Sequence, residues 1–424
     1  MEHDLVLRGK VVSPSAVEEF EVGVDDGRIS ELKRSGLKGG RRIDAGRCLI
    51  FPGFVDIHVH LREPGWEHKE DFRTGTLAAA HGGVTTVVDM PNNPVPATTA
   101  GAIEEKRRLA RAKALVDVKF YGGLSAERLG DAPGMSRLVV GYKVYLARST
   151  GELAFPEERL GEALEVVRGT GLPVSFHCED QKIIDARAKR LEGVSRPDAY
   201  CDVRPPESET ESVSKVVASL KGSGVRRANV CHASTKGALD IAERARADGM
   251  DVRCEAALHH LFFDRRAALE NPLLKTNPPL RQESDRHELV KGLSDGRASF
   301  LVTDHAPHTP EEKSEGLSGV PGLDDYAHVA SWLVTRQGVR PEALCRAASY
   351  NPARFAAMDD KGEVAVGKVA DFTVLDLDSP ERVRGDRVES KCGWSPYEGV
   401  EFPGRAKWTI RAGEALLDDY ELVV

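Results

Sequence analysis

Two histidines separated by one residue are the first feature of this sequence that suggests chemistry. They lie in the run VDIHVH at 55–60, which is rich in β-branched residues. In an extended strand, side chains two residues apart project to the same face, so His58 and His60 would lie side by side. Imidazole nitrogens are common ligands of zinc and similar divalent ions. An isolated pair of this kind, however, more often belongs to an ordinary core or surface than to a metal site.

Three further polar residues close apolar strands elsewhere in the chain. His177 lies in SFHCED, His232 in NVCHAS and Asp304 in LVTDHAPH. If these strands share one rim, four histidines and one carboxylate converge there. This ligand set suits zinc or a similar ion, so the sequence predicts a divalent-metal centre.

A lysine inside the apolar run GYKVYL extends this prediction. Lys143 would be buried near the metals, where an ammonium ion is disfavoured and a neutral amine is favoured. A neutral amine can add carbon dioxide, and the resulting carbamate is an anionic ligand with two oxygens that can bridge two metals. No aspartate lies between Asp131 and Asp180 to take this role. The alternative is a lysine that extends to the rim and binds an anion there.

The elements that must position these residues are eight short apolar strands separated by helical segments or long loops. We predict strands at 55–60, 85–90, 116–121, 141–146, 174–178, 228–232, 252–256 and 300–304, and helices at 100–113, 157–168, 209–220 and 236–248. This alternation predicts an α/β protein with a (β/α)8 TIM barrel. A doubly wound open sheet is the alternative, although no G-x-G-x-x-G turn follows the first strand.

Both ends of the chain differ from the middle, because they contain short alternating strands with glycine turns. Examples are EFEVGVDDGRISEL before the barrel, and GEVAVGKVADFTVLDLD and AKWTIRAGEALL after it. We therefore predict a small β-sandwich built from residues 1–53 and 359–424, with a catalytic barrel at 54–358. Near the end of the barrel, Asn351 before Pro352 predicts the N-cap of a last helix.

Composition excludes several classes of protein. The 424 residues are 41% hydrophobic and 30% charged, and no apolar run approaches the roughly 18 residues that a membrane span needs. The net charge of −8 disfavours nucleic acid and anionic lipid as partners. Seven cysteines without a C-x-x-C pair argue against a disulfide framework and a zinc knuckle. Because MEHDLVLRGK lacks a long apolar segment, we expect no secretory signal and a cytoplasmic location.

The combined motifs resemble the cyclic amidohydrolases, and within them the dihydroorotases. The resemblance covers nearly the whole chain and is carried by PGFVDIHVHLREPG (52–65), VDMPNNP (88–94), KVYL (143–146), FHCED (176–180), VCHAS (230–234), NPPLR (277–281), TDHAPHTPEEK (303–313), VPGLD (320–324) and GEVAVGKVADFTVLD. It implies two divalent metal ions, expected to be zinc, and carbon dioxide bound as a carbamate on the lysine. The implied metal ligands are His58, His60, carboxylated Lys143, His177, His232 and Asp304. Some relatives bridge with an aspartate, so this chain is similar to the lysine-bridged branch.

Other residues would select the substrate. Arg62 could bind the carboxylate of a dihydropyrimidine with its two-pronged guanidinium, and the resemblance adds Asn92 to that contact. The alternative for Arg62 is a salt bridge with Glu63 or Glu67. By resemblance, Asn277 and His308 hold the ring, and the backbone at Pro321 and Gly322 contacts its amide edge. Four other histidines are expected to lie outside the site, because nothing in their spacing requires them there: His81, His259, His260 and His305.

The resemblance implies reversible ring opening of dihydroorotate to carbamoyl aspartate, a step of pyrimidine biosynthesis. Two metals can lower the pKa of a shared water and polarise the amide carbonyl that it attacks. Asp304 would be the catalytic residue, because it accepts a proton and returns it to the departing ring nitrogen.

Three alternatives to this activity use the same metal constellation: allantoinase, hydantoinase and dihydropyrimidinase. Arg62, Asn92 and His308 favour the dihydroorotases. An alternative of another class is a metal-free scaffold, although every expected ligand is present. A homo-oligomer and an association with aspartate transcarbamoylase are the partners that the resemblance suggests.

Overall fold

The computed structural model describes residues 2–194, 196 and 198–424. Its first four elements are strands: β1 (Glu2–Val12), β2 (Val17–Asp25), β3 (Arg28–Lys33) and β4 (Lys38–Pro52). β1 pairs antiparallel with β2 and parallel with β4. Alternate side chains of β1, including Leu5 and Leu7, are buried on one face, and Val6 and Val12 of the opposite face are buried as well.

Eight parallel strands then form the barrel. They are β5 (Phe54–Val59), β6 (Val84–Asp89), β7 (Asp117–Gly123), β8 (Gly141–Tyr145), β9 (Val174–His177), β10 (Ala228–Val230), β11 (Val252–Ala257) and β12 (Phe300–Val302). Each end lies within two residues of its predicted position. A parallel bridge between Val59 and His305 connects the first strand to the segment that follows the last strand, and the His60 N–H donates to the His305 carbonyl at 2.8 Å. The predicted TIM barrel is confirmed, and the open-sheet alternative is excluded.

Helices and short turns connect the barrel strands and follow the last one. The helices are α1 (Phe72–His81), α2 (Ala100–Lys113), α3 (Ala132–Met135), α4 (Leu160–Thr170), α5 (Gln181–Arg190), α6 (Ala199–Val203), α7 (Pro206–Leu220), α8 (Lys236–Ala247), α9 (Leu258–Phe262), α10 (Arg265–Glu270), α11 (Glu283–Asp295), α12 (Pro310–Ser314), α13 (Tyr326–Thr335), α14 (Pro341–Cys345) and α15 (Asn351–Phe355). All four predicted helices are present. Thr99 and Thr235 begin α2 and α8 by accepting hydrogen bonds from the third helical amide.

The predicted asparagine cap is wrong. A π-helical turn, Arg346–Tyr350, joins α14 to α15, so Asn351 lies inside continuous helical backbone with φ −66°. Its side chain instead donates to the Ser299 carbonyl at 3.0 Å. The dipeptide Asn-Pro is typical of a helix start, because proline is tolerated in the first turn of a helix. Here the π-helical turn before Asn351 accommodates Pro352 within continuous helical backbone.

The C-terminal strands return to the N-terminal ones, as predicted. They are β13 (Phe372–Asp376), β14 (Glu381–Arg382), β15 (Glu401–Phe402), β16 (Arg405–Arg411), β17 (Glu414–Asp418) and β18 (Glu421–Leu422). One eight-stranded sheet has the order β18-β17-β16-β13-β4-β1-β2-β3, while β14 and β15 pair separately. Side chains from both termini, such as Ile50, Phe372 and Ile410, share one apolar core. The domain limits at residues 54 and 358 stay a prediction.

Part of the predicted C-terminal segment lies against the barrel. Trp394 Nε1 donates to the His308 carbonyl at 2.8 Å, and Ser395 Oγ donates to Asp325 Oδ2 at 2.7 Å. Tyr397 is buried. This segment therefore supports the loop after β12 from outside.

A buried histidine joins the barrel to the β14–β15 ribbon. His328 of α13 contacts Asp325 Oδ1 and Glu381 Oε2, both at 3.2 Å. Burial alone would lower its pKa, but the two carboxylates outweigh burial and raise the pKa of His328 to about 9.

This raised pKa predicts a loss of stability in mild alkali. The interaction of protonated His328 with the two carboxylates stabilises the fold fully below pH 6.5, the ordinary pKa of an unfolded histidine. This stabilisation is lost as the pH rises through about 9, the pKa of His328 in the folded protein. We expect the free energy of unfolding to fall by up to about 3 kcal/mol over this window, measured by urea denaturation. His328→Asn should flatten the dependence, whereas His68→Asn, at an exposed position, should not. An unchanged slope in His328→Asn would contradict the assignment.

Two further observations concern membrane-spanning helices and cysteines. Within the described ranges, no helix combines the length and apolar character needed to cross a bilayer. All seven cysteines are buried free thiols in the same residues.

Candidate metal centre and substrate pocket

Four histidines and Asp304 meet at the carboxyl ends of the barrel strands. The Nε2 atoms of His58 and His60 each lie 3.3 Å from Asp304 Oδ1. His177 Nδ1 lies 3.1 Å from His232 Nε2, and the rings of His58 and His232 are 5.1 Å apart. The structure therefore brings together five of the six predicted metal ligands at one rim.

Three of these histidines have a protein partner on the ring nitrogen that faces away from the cluster. His58 Nδ1 contacts Glu255 Oε2 at 2.6 Å, and His60 Nδ1 contacts Asn92 Oδ1 at 2.7 Å. His177 Nε2 contacts Glu179 Oε2 at 3.0 Å. Acceptors of this kind fix the ring and its tautomer in metal sites, leaving the other nitrogen as a ligand.

The donor set fits a metal ion. The nitrogens His177 Nδ1 and His232 Nε2 face each other, and two neutral imidazoles can share only one hydrogen there. His232 Nδ1 is buried and has no hydrogen-bond partner in the described part of the chain. Burial lowers the pKa of His60 to about 3, so its imidazole is neutral and its lone pair is available. Ligand atoms of His58, His232 and Asp304 lie within 4.8 Å of one another.

Lys143 lies beneath this cluster on β8. Its side chain is 0% exposed, so it does not extend to the rim as the alternative required. Its Nζ lies 2.7 Å from Cys231 Sγ and 5.1 Å from the centre of the Tyr145 ring. No carboxylate in the residues that the structure describes pairs with this ammonium, which is an expensive state for a buried lysine.

Left-handed backbone marks three residues of the site. Arg62 has φ 63°, His232 φ 35° and Asp304 φ 47°. Such values are uncommon for residues with a Cβ and concentrate at functional sites, where the surrounding structure imposes them. Each of these residues comes two or three residues after the end of a barrel strand, where the chain turns away from the barrel.

Asp56 closes the barrel below the cluster, a role that the sequence analysis missed. Its carboxylate accepts hydrogen bonds from the His58 N–H and the Thr303 N–H, both at 3.0 Å. Burial raises the pKa of Asp56 to about 7. The residue thereby holds the first strand and the end of the last strand in register, which places His58 opposite Asp304.

Arg62 is a buried cation at the pocket wall. Its Nε donates to the Pro307 carbonyl at 3.1 Å, and its Nη2 donates to His308 Nε2 at 3.3 Å. Among the described residues, Arg62 forms no ion pair. Glu63 pairs instead with Lys113, and Glu67 accepts from the Gly65 N–H, so the predicted alternative for Arg62 does not hold.

Arg62, Asn92 and Asn277 line the same pocket as the histidines and Asp304. Asn92 has a second role, because its Oδ1 contacts His60 and its Nδ2 donates to the Thr150 carbonyl at 2.9 Å. One of its amide hydrogens remains for a ligand. Asn277 Oδ1 contacts the Tyr200 hydroxyl.

His308 lies behind Arg62. Burial, followed by the cations of Arg62 and Lys69, lowers the pKa of His308. A neutral His308 can accept from Arg62 at Nε2 while its Nδ1 contacts Glu312 Oε2 at 3.1 Å. Its observed contacts therefore orient Arg62, and its predicted contact with the ring stays a prediction.

Pro321 and Gly322 lie outside the residues found to line this pocket. The N–H groups of Gly322 and Leu323 donate to His305 Nδ1 at 3.1 and 3.3 Å. Ser318 and Gly319, slightly earlier in the same loop, line the pocket. No motif in the sequence singles out these two residues.

The sequence analysis missed the carboxylates that support the histidines. Glu255 contacts His58 and also accepts from the His232 N–H at 2.9 Å, while Glu179 pairs with Arg204 at 2.5 Å. A signal existed for Glu179, which lies two residues after His177 in FHCED. His259 and His260 are also buried beside the site, and His260 Nε2 contacts the Pro278 carbonyl at 3.1 Å.

Removing the negative charge that supports His177 should weaken metal binding. In Glu179→Gln the side chain keeps its shape but no longer holds both His177 and Arg204 by charge. Partners of this kind typically contribute about 10- to 100-fold to metal affinity. Competition with a chelator should show a loss of this size, with Glu165→Gln on an exposed helix face unchanged. Equal affinities in the two variants would contradict this role.

The amino-acid sequence of this chain is similar to those of several known proteins. The chain is 36% identical to a dihydroorotase of Methanothermobacter thermautotrophicus, over 95% of this chain and 92% of the relative. It is 32% identical to a dihydroorotase of Pyrococcus furiosus, with 99% and 94% covered. An allantoinase of Bacillus licheniformis is 31% identical, with 98% and 96% covered.

Solved structures agree with this placement. An L-hydantoinase (dihydropyrimidinase) from Arthrobacter aurescens has a TM-score of 0.96 and 27% identity, covering 100% of this chain and 98% of that one. A dihydropyrimidinase from Brevibacillus agri has a TM-score of 0.90 and 25% identity, covering 99% and 96%. The model of the amidohydrolase family matches residues 49–416, which include the whole barrel and every predicted ligand. The chain belongs to the amidohydrolase family.

Proposed function

We propose that this protein is a metal-dependent dihydroorotase, which interconverts N-carbamoyl-L-aspartate and dihydroorotate. The observation that carries the proposal is the Arg62 guanidinium, which is buried, has no carboxylate partner among the described residues and lines the pocket of the four histidines. A buried cation of this kind is stabilised by an anionic ligand. Dihydroorotate carries a carboxylate beside its cyclic amide, whereas dihydrouracil, hydantoin and allantoin carry none.

The residues that would hold two divalent ions are His58, His60, His177, His232, Asp304 and a carboxylated Lys143. The proposed metal is zinc, because nitrogen and oxygen donors of this kind suit it. When bound, such ions lower the pKa of water and polarise an amide carbonyl. The carbamate on Lys143 is supported by complete burial of an ammonium that lacks a carboxylate partner in the described residues.

Asp304 is the proposed proton carrier. Burial would raise its pKa, but the neighbouring imidazoles of His58, His60 and His232 hold the pKa of Asp304 well below its ordinary value. Its carboxylate is therefore ionised and able to accept a proton from the attacking water. It then returns that proton to the ring nitrogen that leaves, and the reverse direction uses the same group.

Arg62 and Asn92 orient the substrate in this proposal. Arg62 is fixed by Pro307 and His308, so its remaining guanidinium hydrogens are directed without a further loss of side-chain freedom. The free amide hydrogen of Asn92 lies beside His60, and therefore close to the reacting carbonyl. Asn277 supplies a further polar group to the lining of the pocket.

The experiment that tests this function follows the reaction in both directions. Metal-loaded protein given N-carbamoyl-L-aspartate should form dihydroorotate, and protein given dihydroorotate should form N-carbamoyl-L-aspartate. Both mixtures should reach the same ratio, because one catalyst cannot alter an equilibrium. Chelator-treated protein should do neither until metal is restored. Failure to convert either compound in the metal-loaded state would overturn the proposal. Self-association and binding to aspartate transcarbamoylase stay predictions.

A further inference from the structure

A buried lysine outside the metal cluster joins two segments of the pocket. Lys313 lies in α12 and is 4% exposed. Its Nζ donates to the carbonyls of Lys275 and Leu317, both at 2.9 Å, and of Gly319 at 2.8 Å. Burial, followed by the cations of Lys275 and Arg62, lowers the pKa of Lys313 to about 7, and its three carbonyl acceptors favour the ammonium form, which has one hydrogen for each of them. No carboxylate in the described ranges pairs with Lys313, so these carbonyls alone satisfy it.

The three carbonyls belong to two chain segments that contribute to the lining of the pocket. Lys275 lies two residues before Asn277, and Leu317 and Gly319 flank Ser318. Three residues of these two segments line the pocket: Asn277, Ser318 and Gly319. The Gly319 N–H also donates to the Lys275 carbonyl at 2.9 Å. The two segments are thus joined at one point, and Lys313 lies at that point.

Tyr200 continues this connection toward the pocket. Its hydroxyl contacts Asn277 Oδ1 and accepts from Ser318 Oγ at 3.2 Å. The Lys275 ammonium lies 4.2 Å from the centre of the Tyr200 ring. A shift of either segment would therefore move the polar groups that face the substrate.

We propose that Lys313 is a positioning residue that fixes the substrate-facing wall formed by Asn277, Ser318 and Gly319. The expected effect on turnover rests on the proposed function, whereas the expected effect on the structure of the wall does not. Loss of the ammonium leaves the Leu317 and Gly319 carbonyls without that donor, while the Lys275 carbonyl keeps only the Gly319 N–H. Relief of that cost requires the two segments to separate. Lys313 itself does not touch the substrate, and its effect is on the geometry of the wall.

Steady-state kinetics of Lys313→Met test the effect on turnover. We expect KM for dihydroorotate to rise about tenfold or more, the equivalent of one lost charged hydrogen bond. Because Lys313 donates to neither a predicted metal ligand nor Arg62, kcat and metal content should change little. A merely structural role would lower kcat through a smaller folded fraction and leave KM unchanged, and that outcome would overturn the proposal.

Hydrogen exchange separates this inference from the proposed function, since it needs no substrate. In Lys313→Met the Leu317 and Gly319 amides should exchange about tenfold faster or more, while amides of β11 keep wild-type rates. Lys291→Met on exposed α11 surface is the matched control and should change neither set. Lys313→Gln keeps two hydrogen-bond donors, so its exchange rates at Leu317 and Gly319 should lie between those of wild type and Lys313→Met. This variant replaces Lys313→Met in the test if the methionine variant does not fold. Unchanged exchange at Leu317 and Gly319 would overturn the proposal even if wild type converts dihydroorotate, and faster exchange would support it even if wild type does not.

Discussion

Lys143→Ala is expected to lose most of the bound metal and nearly all activity. The side chain is completely buried below the histidine cluster, and the proposed carbamate would supply two anionic oxygens there. A bound metal contributes several kcal/mol to such a reaction, so kcat should fall at least about a hundredfold. Elemental analysis and the rate of ring opening measure the two effects.

Chemical rescue distinguishes a lost ligand from a damaged fold. Short carboxylic acids fit the space left by the lysine and should restore part of both metal content and rate. Lys361→Met is a matched control, because Lys361 is also buried but pairs with Asp117 at 2.8 Å, at the first residue of β7. That variant should keep its metal. Full metal content and activity in Lys143→Ala without added acid would show that the lysine is not a bridge.

Arg62→Met is expected to reduce kcat/KM for dihydroorotate by about ten- to a hundredfold, since one charged hydrogen-bonded contact is lost. Turnover of dihydrouracil, which has no carboxylate, should fall much less. The preference between the two substrates should therefore narrow, because specificity is a difference of affinities. Metal content should match wild type, since Arg62 is not a ligand in this account.

Two further variants sharpen this test. Arg62→Lys keeps the charge but loses the planar fork, so it should recover only part of the preference. Arg73→Met, on an exposed position of α1, should behave as wild type. An equal loss on both substrates in Arg62→Met would contradict a role in binding the carboxylate.

The barrel and its rim could be predicted from the sequence because both depend on periodic patterns. Short apolar runs with a polar residue at the end define parallel strands, and parallel strands place those end residues on one edge. His58 and His60 follow from the alternation of a single strand. The same reasoning brought His177, His232 and Asp304 to that edge without any knowledge of the connecting loops.

The partners of these residues could not be predicted, because they depend on contacts between distant strands. Glu255 follows His58 by 197 residues, and its register against β10 is what places it on that ring. Ser318 and Gly319 lie in a loop whose path is set by Lys313 and Lys275, which no local pattern reveals.

Backbone conformation explains a second limit. Arg62, His232 and Asp304 all adopt positive φ, a state that local propensity disfavours for these residue types. Asn351 shows the reverse case, since its local pattern indicated a helix start and the π-helical turn before it continued the helix. At these positions tertiary packing overrides local preference, as is expected near functional sites.

The most direct test of the central claim is the specificity of wild type for four ring amides. Purified, metal-loaded protein should be assayed with dihydroorotate, dihydrouracil, hydantoin and allantoin under one set of conditions. The account predicts that kcat/KM for dihydroorotate exceeds each of the others by at least about tenfold, the value of the Arg62 contact. A wild-type preference for any of the three substrates without a carboxylate would contradict it.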